Sequence, residues 1–455
     1  MHGISQHALA PMLGLAANRE VSMIWLYRAL FVPALLFASP YYLLRMKRRG
    51  GYRQHFSQRL GSLTCLRAKT PGVRRIWLQA VSVGEMLAIA PLLEAFKKDP
   101  TVEVYLTTTT STGFKLAGER YREATIGIGY FPIDWWPFSW RAWRHIQPDL
   151  VILTEGERWP EHIQQARRRG VPVLCINARL SDKSFRRMRS ARWAVDAMLG
   201  GITRVLPCSE HDAARVRELG FPADKISTTG NIKLDLTIPL LSDIDKAALR
   251  TELGFGGERI LLGSSTWPGE ERALVGALQI LRGAGMNCRL LIVPRHAERR
   301  ADVEADLKSF DDFSFHLRSR GAAPEPVDIC VADTTGELRK LTQLADVVFV
   351  GKSLPPHEQG QTPVEAAALG KPILFGPGMT NFFAIADELV KSGAATIVSD
   401  EKELAAAAQK ILTDVTVRDA MAGAARAWHQ ANQGAVGRTL EIVRTELAKL
   451  CRSID

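Results

Sequence analysis

Acidic residues stand where apolar runs stop. The stretch Ile76 to Phe96 opens as a short apolar run, breaks at Ser82-Val83-Gly84-Glu85, and resumes with apolar residues at helical spacing (Met86, Leu87, Ile89, Ala90, Leu92, Leu93, Phe96). That pattern predicts a buried strand, a tight glycine turn and a helix packed back on the sheet. A carboxylate at such a junction sits among free backbone N–H groups at the positive end of a helix. Glu85 is therefore either a cap or first-turn acid, or a catalytic base at the carboxyl end of a strand. A second acidic pair, Glu155 and Glu157, ends the apolar run Asp149 to Trp159. Of two carboxylates at one sheet edge, one can deprotonate a hydroxyl while the other positions it, burial raising the pKa of the base. Arg158 beside Glu157 leaves an ion-paired, structural Glu157 as the alternative. Thr110 to Gly113, Asp134 and Asn177-Ala178-Arg179 also follow apolar runs, and each alone reads equally as a turn or cap.

The second half carries residues suited to anions. Leu261 to Glu271 reads as a strand, the small residues Gly263-Ser264-Ser265-Thr266, and a helix opening at Pro268. Small residues let backbone N–H groups close on a phosphate. Pro294-Arg295-His296 ends the next strand, where Arg295 could grip a phosphate and His296 could cap or face solvent. In Gly351 to Pro377 a glycine- and proline-rich loop leads into a helix whose first turn holds Thr362 and Glu365. Those two residues fit a capping box, and a first-turn glutamate also suits ribose hydroxyls. No Walker sequence, nucleophile elbow or zinc-ligand spacing occurs, which argues against a P-loop nucleotidase and a serine hydrolase. The six cysteines are scattered without a CxxC pair, as in a reducing compartment.

To hold these residues the chain alternates strand and helix patterns throughout. In the first half strands are predicted at Ile76, Val102–Thr110, Ile126–Asp134, Asp149–Trp159, Val171–Leu180 and Gly201–Ser209. A linker falls at Gly230 to Ser242. Strands then recur at Arg259–Ser265, Cys288–Pro294, Pro326–Asp333, Asp346–Gly351, Lys371–Gly376 and Ala395–Asp400. Alternation with buried strands means parallel doubly wound sheets, which gather their strand ends at one edge. The expected architecture is α/β with two Rossmann-like domains facing across a cleft. Its segments are a membrane-anchoring stretch over 1–50, a first Rossmann-like domain over 51–236, a second over 237–425 and a C-terminal helix over 426–455.

At 455 residues with 46% hydrophobic content, the chain is long enough for two cores. A net charge of +11 favours anionic partners, and no nucleic-acid-binding signature accompanies it. Val21 to Leu44 is apolar apart from Arg28, with Trp and Tyr near its ends. Its 16 charge-free residues from Ala29 are short of the ~20 a spanning helix needs. Between Tyr41 and Arg75 lie ten Lys or Arg and no acid, a block that holds to anionic lipid and marks a cytoplasmic flank. A shallow anchor is expected, a core helix of the first domain being the alternative.

Taken together the motifs resemble the 3-deoxy-D-manno-octulosonic acid (Kdo) transferases of lipopolysaccharide synthesis, membrane-associated GT-B glycosyltransferases. The matching stretches are Ser82-Val83-Gly84-Glu85, Thr107 to Gly113, Glu155-Gly156-Glu157 with Trp159-Pro160, Asn177 to Ser181, Gly230 to Lys233, Gly263-Ser264-Ser265 with Gly269-Glu270-Glu271, Pro294-Arg295-His296, and the loop to Phe375-Gly376-Pro377 and Asn381-Phe382. The resemblance implies transfer of Kdo from CMP-Kdo to an anionic lipid A precursor at the cytoplasmic membrane face. It implies inversion at the anomeric carbon, with no cofactor and no metal. It further implies Glu85 as general base, Arg295 on the CMP phosphate and Glu365 on the ribose. The acceptor side would be Ser82, Glu155, Glu157 and Arg179; the donor side would add Ser264, Ser265, His296, Gln361 and Thr362. The chain departs from the family pattern at Gln79, Glu161, Trp267, Lys352, Gln359 to Thr362 and Ala366, where the family usually has His, Asn, His, Gly, Gly-Gly-His-Asn and Pro.

Overall fold

The computed structural model describes residues 23–41, 44, 55–63, 66–191, 195 and 199–452. Five of the ten basic residues of the expected flank, those from Arg45 to Arg53, lie outside the described residues. The chain forms two compact units, one ending at Asp235 and taken up again from Gly434, the other Leu236–Gln433.

In the first unit the continuous apolar run at Ile76 becomes β1 (Arg74–Gln79), buried on both faces as a central parallel strand must be. Six parallel strands follow the order β3-β2-β1-β4-β5-β6. Here β2 is Val102–Thr108, β3 Gly127–Tyr130, β4 Leu150–Thr154, β5 Val173–Ala178 and β6 Arg204–Pro207. Strand β1 pairs with β2 on one side and β4 on the other, so the winding direction reverses there and leaves an open crevice at the strand ends. The two-residue period of β1 splits the core. Ile76 and Leu78 face α2 (Val83–Ala88) and α3 (Ala90–Lys97), while Trp77 faces Trp143 and Ile163. The single helix expected from Met86 to Phe96 divides at Ile89, because Pro91 has no N–H to donate and prefers the first turn of a helix. Helices α4 (Ser111–Arg120), α5 (Trp136–Ile146), α6 (Pro160–Arg168) and α7 (Asp182–Ser190) complete the layers. The last helix of the chain, Ala435–Arg452, buries Ala435, Val443 and Leu447 in the same core as Ile76 and Leu78.

Helix α1 (Met23–Tyr41) runs unbroken through Pro33 and is long and apolar enough to cross a membrane by length and composition. Ile24 and Arg28 are buried against the first unit, while Leu30, Leu36, Phe37 and Tyr41 are exposed, Phe37 to 92%. So much exposed apolar surface does not suit the alternative of a core helix.

The second unit is a seven-stranded parallel sheet, β13-β12-β11-β7-β8-β10-β9, reversing at β7 (Arg259–Thr266) between β8 (Cys288–Pro294) and β11 (Val347–Val350). The remaining strands are β9 (Phe315–Leu317), β10 (Ile329–Val331), β12 (Ile373–Phe375) and β13 (Ala395–Ile397). The sequence reading missed β9. Three residues at a sheet edge carry too little periodicity to stand out.

One charged pair lies inside the first sheet. Arg75 on β1 is 1% exposed and donates from Nε to Glu103 Oε1 of β2 at 2.6 Å, and from its two terminal nitrogens to the carbonyls of Ile146 and Arg67. Removing one partner of a buried pair leaves the other charge uncompensated. Glu103→Ala is expected to destabilise the protein by about 3–5 kcal/mol, read as a lowered urea midpoint.

Candidate functional site

The acid that opens α2 is held from three directions. Ser82 caps the helix, its Oγ accepting from the Glu85 N–H at 3.2 Å and donating to Glu85 Oε1 at 2.9 Å. Glu85 Oε2 accepts from the Val81 N–H at 3.0 Å and from the Thr154 hydroxyl at the end of β4. Glu85 is therefore the first-turn acid of a capped helix, and the same carboxylate lies at the sheet's reversal point. It is 7% exposed. Below it Thr108 and Thr110 donate to the Val81 carbonyl at 3.1 and 3.0 Å, tying the β1–α2 turn to the end of β2. Gln79 is fully buried and accepts from the Thr107 hydroxyl at 2.7 Å. Thr154 escaped the sequence reading, although it directly precedes the acids that were singled out. Nothing in a single threonine signals that its hydroxyl reaches a residue 69 positions away.

The neighbouring acids divide. Glu157 lies on the loop after β4 and accepts from the Trp159 indole N–H at 2.5 Å. Burial raises its pKa to about 7, opposed by that hydrogen bond and reinforced by the negative charge of Glu85. Glu155 turns away to an ion pair with Lys233. Arg179 is exposed beyond β5. Two other strand-end residues serve as ties. Asn177 accepts from the Ile232 N–H at 3.0 Å, and buried Asp134 accepts from the first-turn N–H groups of α6 at Glu161 and His162.

At the reversal point of the second sheet, one carboxylate organises the loops. Glu270 opens the helix Glu270–Gly283 and is 1% exposed. Its Oε2 accepts from the N–H groups of Trp267 at 2.8 Å and Lys352 at 2.7 Å, and its Oε1 from Ser353 at 2.8 Å and Leu354 at 3.1 Å. Those donors, of the kind that would cradle a phosphate, are engaged by the protein itself. Gly351 makes the approach possible, since a Cβ there would lie 2.6 Å from the Ser265 carbonyl oxygen and 2.8 Å from Glu270 Oε2. Lys352 stacks its ammonium 4.0 Å from the centre of the Trp267 ring, and His296 packs edge-on to the same ring.

Arg295 is exposed just past β8. Burial raises the pKa of Glu365, opposed by the positive charges of Arg339 and Arg295, so the structure brings Arg295 and Glu365 into one electrostatic neighbourhood. Ser264 is buried in β7, its carbonyl accepting from the Gly351 N–H at 2.8 Å, and Ser265 is half-buried beside it. Gln361 and Thr362 are half-buried on the loop before the helix Val364–Ala368. The capping box expected from Thr362 and Glu365 does not form. The helix begins one residue later than read, with Pro363 at the cap, and Thr362 Oγ1 accepts from the Val364 N–H instead.

Backbone strain marks the same strand ends. Among the described residues, six other than glycine have positive φ, and four of them are Glu155 (54°), Asn177 (51°), Ser265 (54°) and Lys352 (59°). Residues held in that region cluster where ligands bind, because the surrounding fold must over-determine them.

Residues 54–236 match the family model described as 3-Deoxy-D-manno-octulosonic-acid transferase (kdotransferase). The chain is 33% identical over 410 residues to the 3-deoxy-D-manno-octulosonic acid transferase of Bordetella pertussis, covering 87% of this chain and 93% of that one. It is 32% identical over 434 residues to the enzyme of the same name from Haemophilus influenzae, covering 93% and 100%. In fold it is similar to a glycosyltransferase from Rickettsia africae, with a TM-score of 0.56 at 14% identity over 83% of this chain and 99% of that one. The UDP-GlcNAc 2-epimerase of Neisseria meningitidis gives 0.55 at 13% identity over 82% and 100%. These structural likenesses mark two parallel-sheet units of GT-B type.

Glu157 makes stability depend on pH. Its folded pKa of about 7 lies above the ordinary carboxylate value, so its contribution is fully present below that ordinary value and is lost as pH rises through 7. Glu157→Gln is expected to melt with the native protein at pH 4.5 and above it at pH 8, as measured by calorimetry.

Proposed function

The chain belongs to the 3-deoxy-D-manno-octulosonic acid transferase family, a family of glycosyltransferases, and on that footing we propose that it moves Kdo from CMP-Kdo to an anionic lipid A precursor at the cytoplasmic face of a bacterial inner membrane. The observation that carries the reading is Glu85, a carboxylate fixed at the reversal point of the first sheet by Val81, Ser82 and Thr154. Its Oε1 accepts only the Ser82 hydroxyl among these three donors, and so keeps room for a proton.

In the proposed reaction Glu85 takes the proton of the acceptor hydroxyl as that oxygen bonds to the anomeric carbon of Kdo. The bond from that carbon to the CMP phosphate oxygen breaks, and its electron pair leaves with the phosphate. Attack opposite the leaving group inverts the anomeric configuration. Arg295 neutralises charge on the departing phosphate and Glu365 takes the ribose hydroxyls, the two being electrostatic neighbours in the second unit. No metal or cofactor has a part in this scheme. Helix α1, with its exposed apolar side chains, supports membrane association.

Positioned general bases contribute roughly 10²–10⁴-fold. Glu85→Gln is expected to lower kcat by at least about a hundredfold while CMP-Kdo still binds in calorimetric titration, with product mass identifying the sugar transferred. Near-native turnover in this variant removes Glu85 from the base role; product from a UDP-sugar but none from CMP-Kdo replaces the donor.

A further inference from the structure

Two consecutive residues of α1 grip the first turn of α6. Arg28, the one charge in the apolar stretch, is 7% exposed and reaches fully buried Glu161 with two parallel hydrogen bonds, Nε to Oε2 at 2.8 Å and Nη2 to Oε1 at 2.9 Å. Tyr27 donates its hydroxyl to Asp134 Oδ2 at 2.7 Å. That same carboxylate takes the N–H groups of Glu161 and His162, at 3.2 and 2.9 Å, that would otherwise be orphans of the α6 N-terminus. The guanidinium also lies 4.8 Å from the ring of Trp25 and 5.7 Å from that of Trp136, and Glu161 accepts a further bond from Gln165 at 2.7 Å. Planar, bidentate geometry of this kind fixes direction as well as distance.

The place of attachment gives the clamp its meaning. Helix α6 follows β4 through one short loop. That loop begins just after Thr154, which donates to Glu85, and carries Glu157, whose charge interacts with Glu85. Beyond Arg28, α1 carries exposed Leu30, Leu36, Phe37 and Tyr41. One connection of the first unit therefore bonds to the acid at one end and to the lipid-seeking helix at the other.

We propose that Arg28 and Glu161 are positioning residues that lock α1 to the β4–α6 connection, so that the seating of α1 in the bilayer sets the height and orientation of Glu85 toward an acceptor embedded in the same bilayer. The inference rests on the reading that the acceptor is a membrane lipid. Breaking the clamp leaves the chemistry of the acid intact and frees the body to tilt on its anchor. The loss then falls on substrates presented by a membrane and spares those presented free of one.

The test compares full-length native protein and Glu161→Gln on a phosphorylated lipid A precursor offered in phospholipid vesicles and, separately, dispersed in detergent micelles. Expected is a fall of about tenfold or more in kcat/KM with vesicles and a change within about twofold with micelles, at unchanged KM for the nucleotide-sugar donor. Tyr27→Phe, which removes a single hydroxyl, should give a smaller loss with the same vesicle selectivity, and keeps the test alive should Glu161→Gln fold poorly. Equal losses in vesicles and micelles mark a merely structural pair and overturn the inference, as does full activity in both. Native protein that transfers to neither presentation overturns the lipid-acceptor reading, and this inference with it.

Discussion

The three hydrogen bonds that pin Glu85 decide most of what surrounds it. A helix N-terminus needs an acceptor, and a glutamate in the first turn can supply one, but the carboxylate here is drawn back onto the turn and across to a hydroxyl of the neighbouring strand. That crossing is possible only where β1 and β4 lie side by side, at the one place where the winding of the sheet changes direction. Strand order, the glycine turn and the threonines at the ends of β2 and β4 serve one requirement: a carboxylate held still at the carboxyl edge of the sheet.

The second unit meets the same requirement with the opposite economy. Its reversal point is also occupied by a glutamate, but Glu270 spends its oxygens on four backbone donors of the protein itself. The loops after β7 and β11 are thereby drawn together around an internal anion, while Arg295 stands exposed just past β8 and Glu365 is ion-paired with Arg339. Strained Lys352 donates its own N–H to this carboxylate, so a bond that satisfies Glu270 also helps to offset the cost of holding Lys352.

The sequence made the strand ends legible, because parallel strands buried on both faces leave continuous apolar runs that stop abruptly. Glu85 and Arg295 stand out by where those runs stop, and Glu365 by its place in the first turn of a helix after a glycine- and proline-rich loop. Other features follow from geometry that no local pattern carries. The Thr154 hydroxyl reaches Glu85, and Arg28 reaches Glu161 across 133 residues, only after the sheet has assembled. Thr362 and Glu365 had the spacing of a capping box, yet Pro363 between them takes the cap position and displaces the helix by one residue. Spacing alone cannot distinguish these outcomes, since each is settled by the tertiary neighbour of a short polar side chain.

The first unit is interrupted in the chain by the whole of the second, and its closing piece is the helix Ala435–Arg452, whose Val443 and Leu447 pack into the core begun by Ile76. A ribosome finishes the N-terminal part of that core, which ends at Asp235, about two hundred residues before the helix that completes it, which begins at Ala435. At ordinary elongation rates of ~5–20 residues per second, an apolar face of the early unit stays uncovered for tens of seconds while the later unit, contiguous in sequence, is already able to fold. Chaperone engagement of the nascent chain should accordingly concentrate on the half made first.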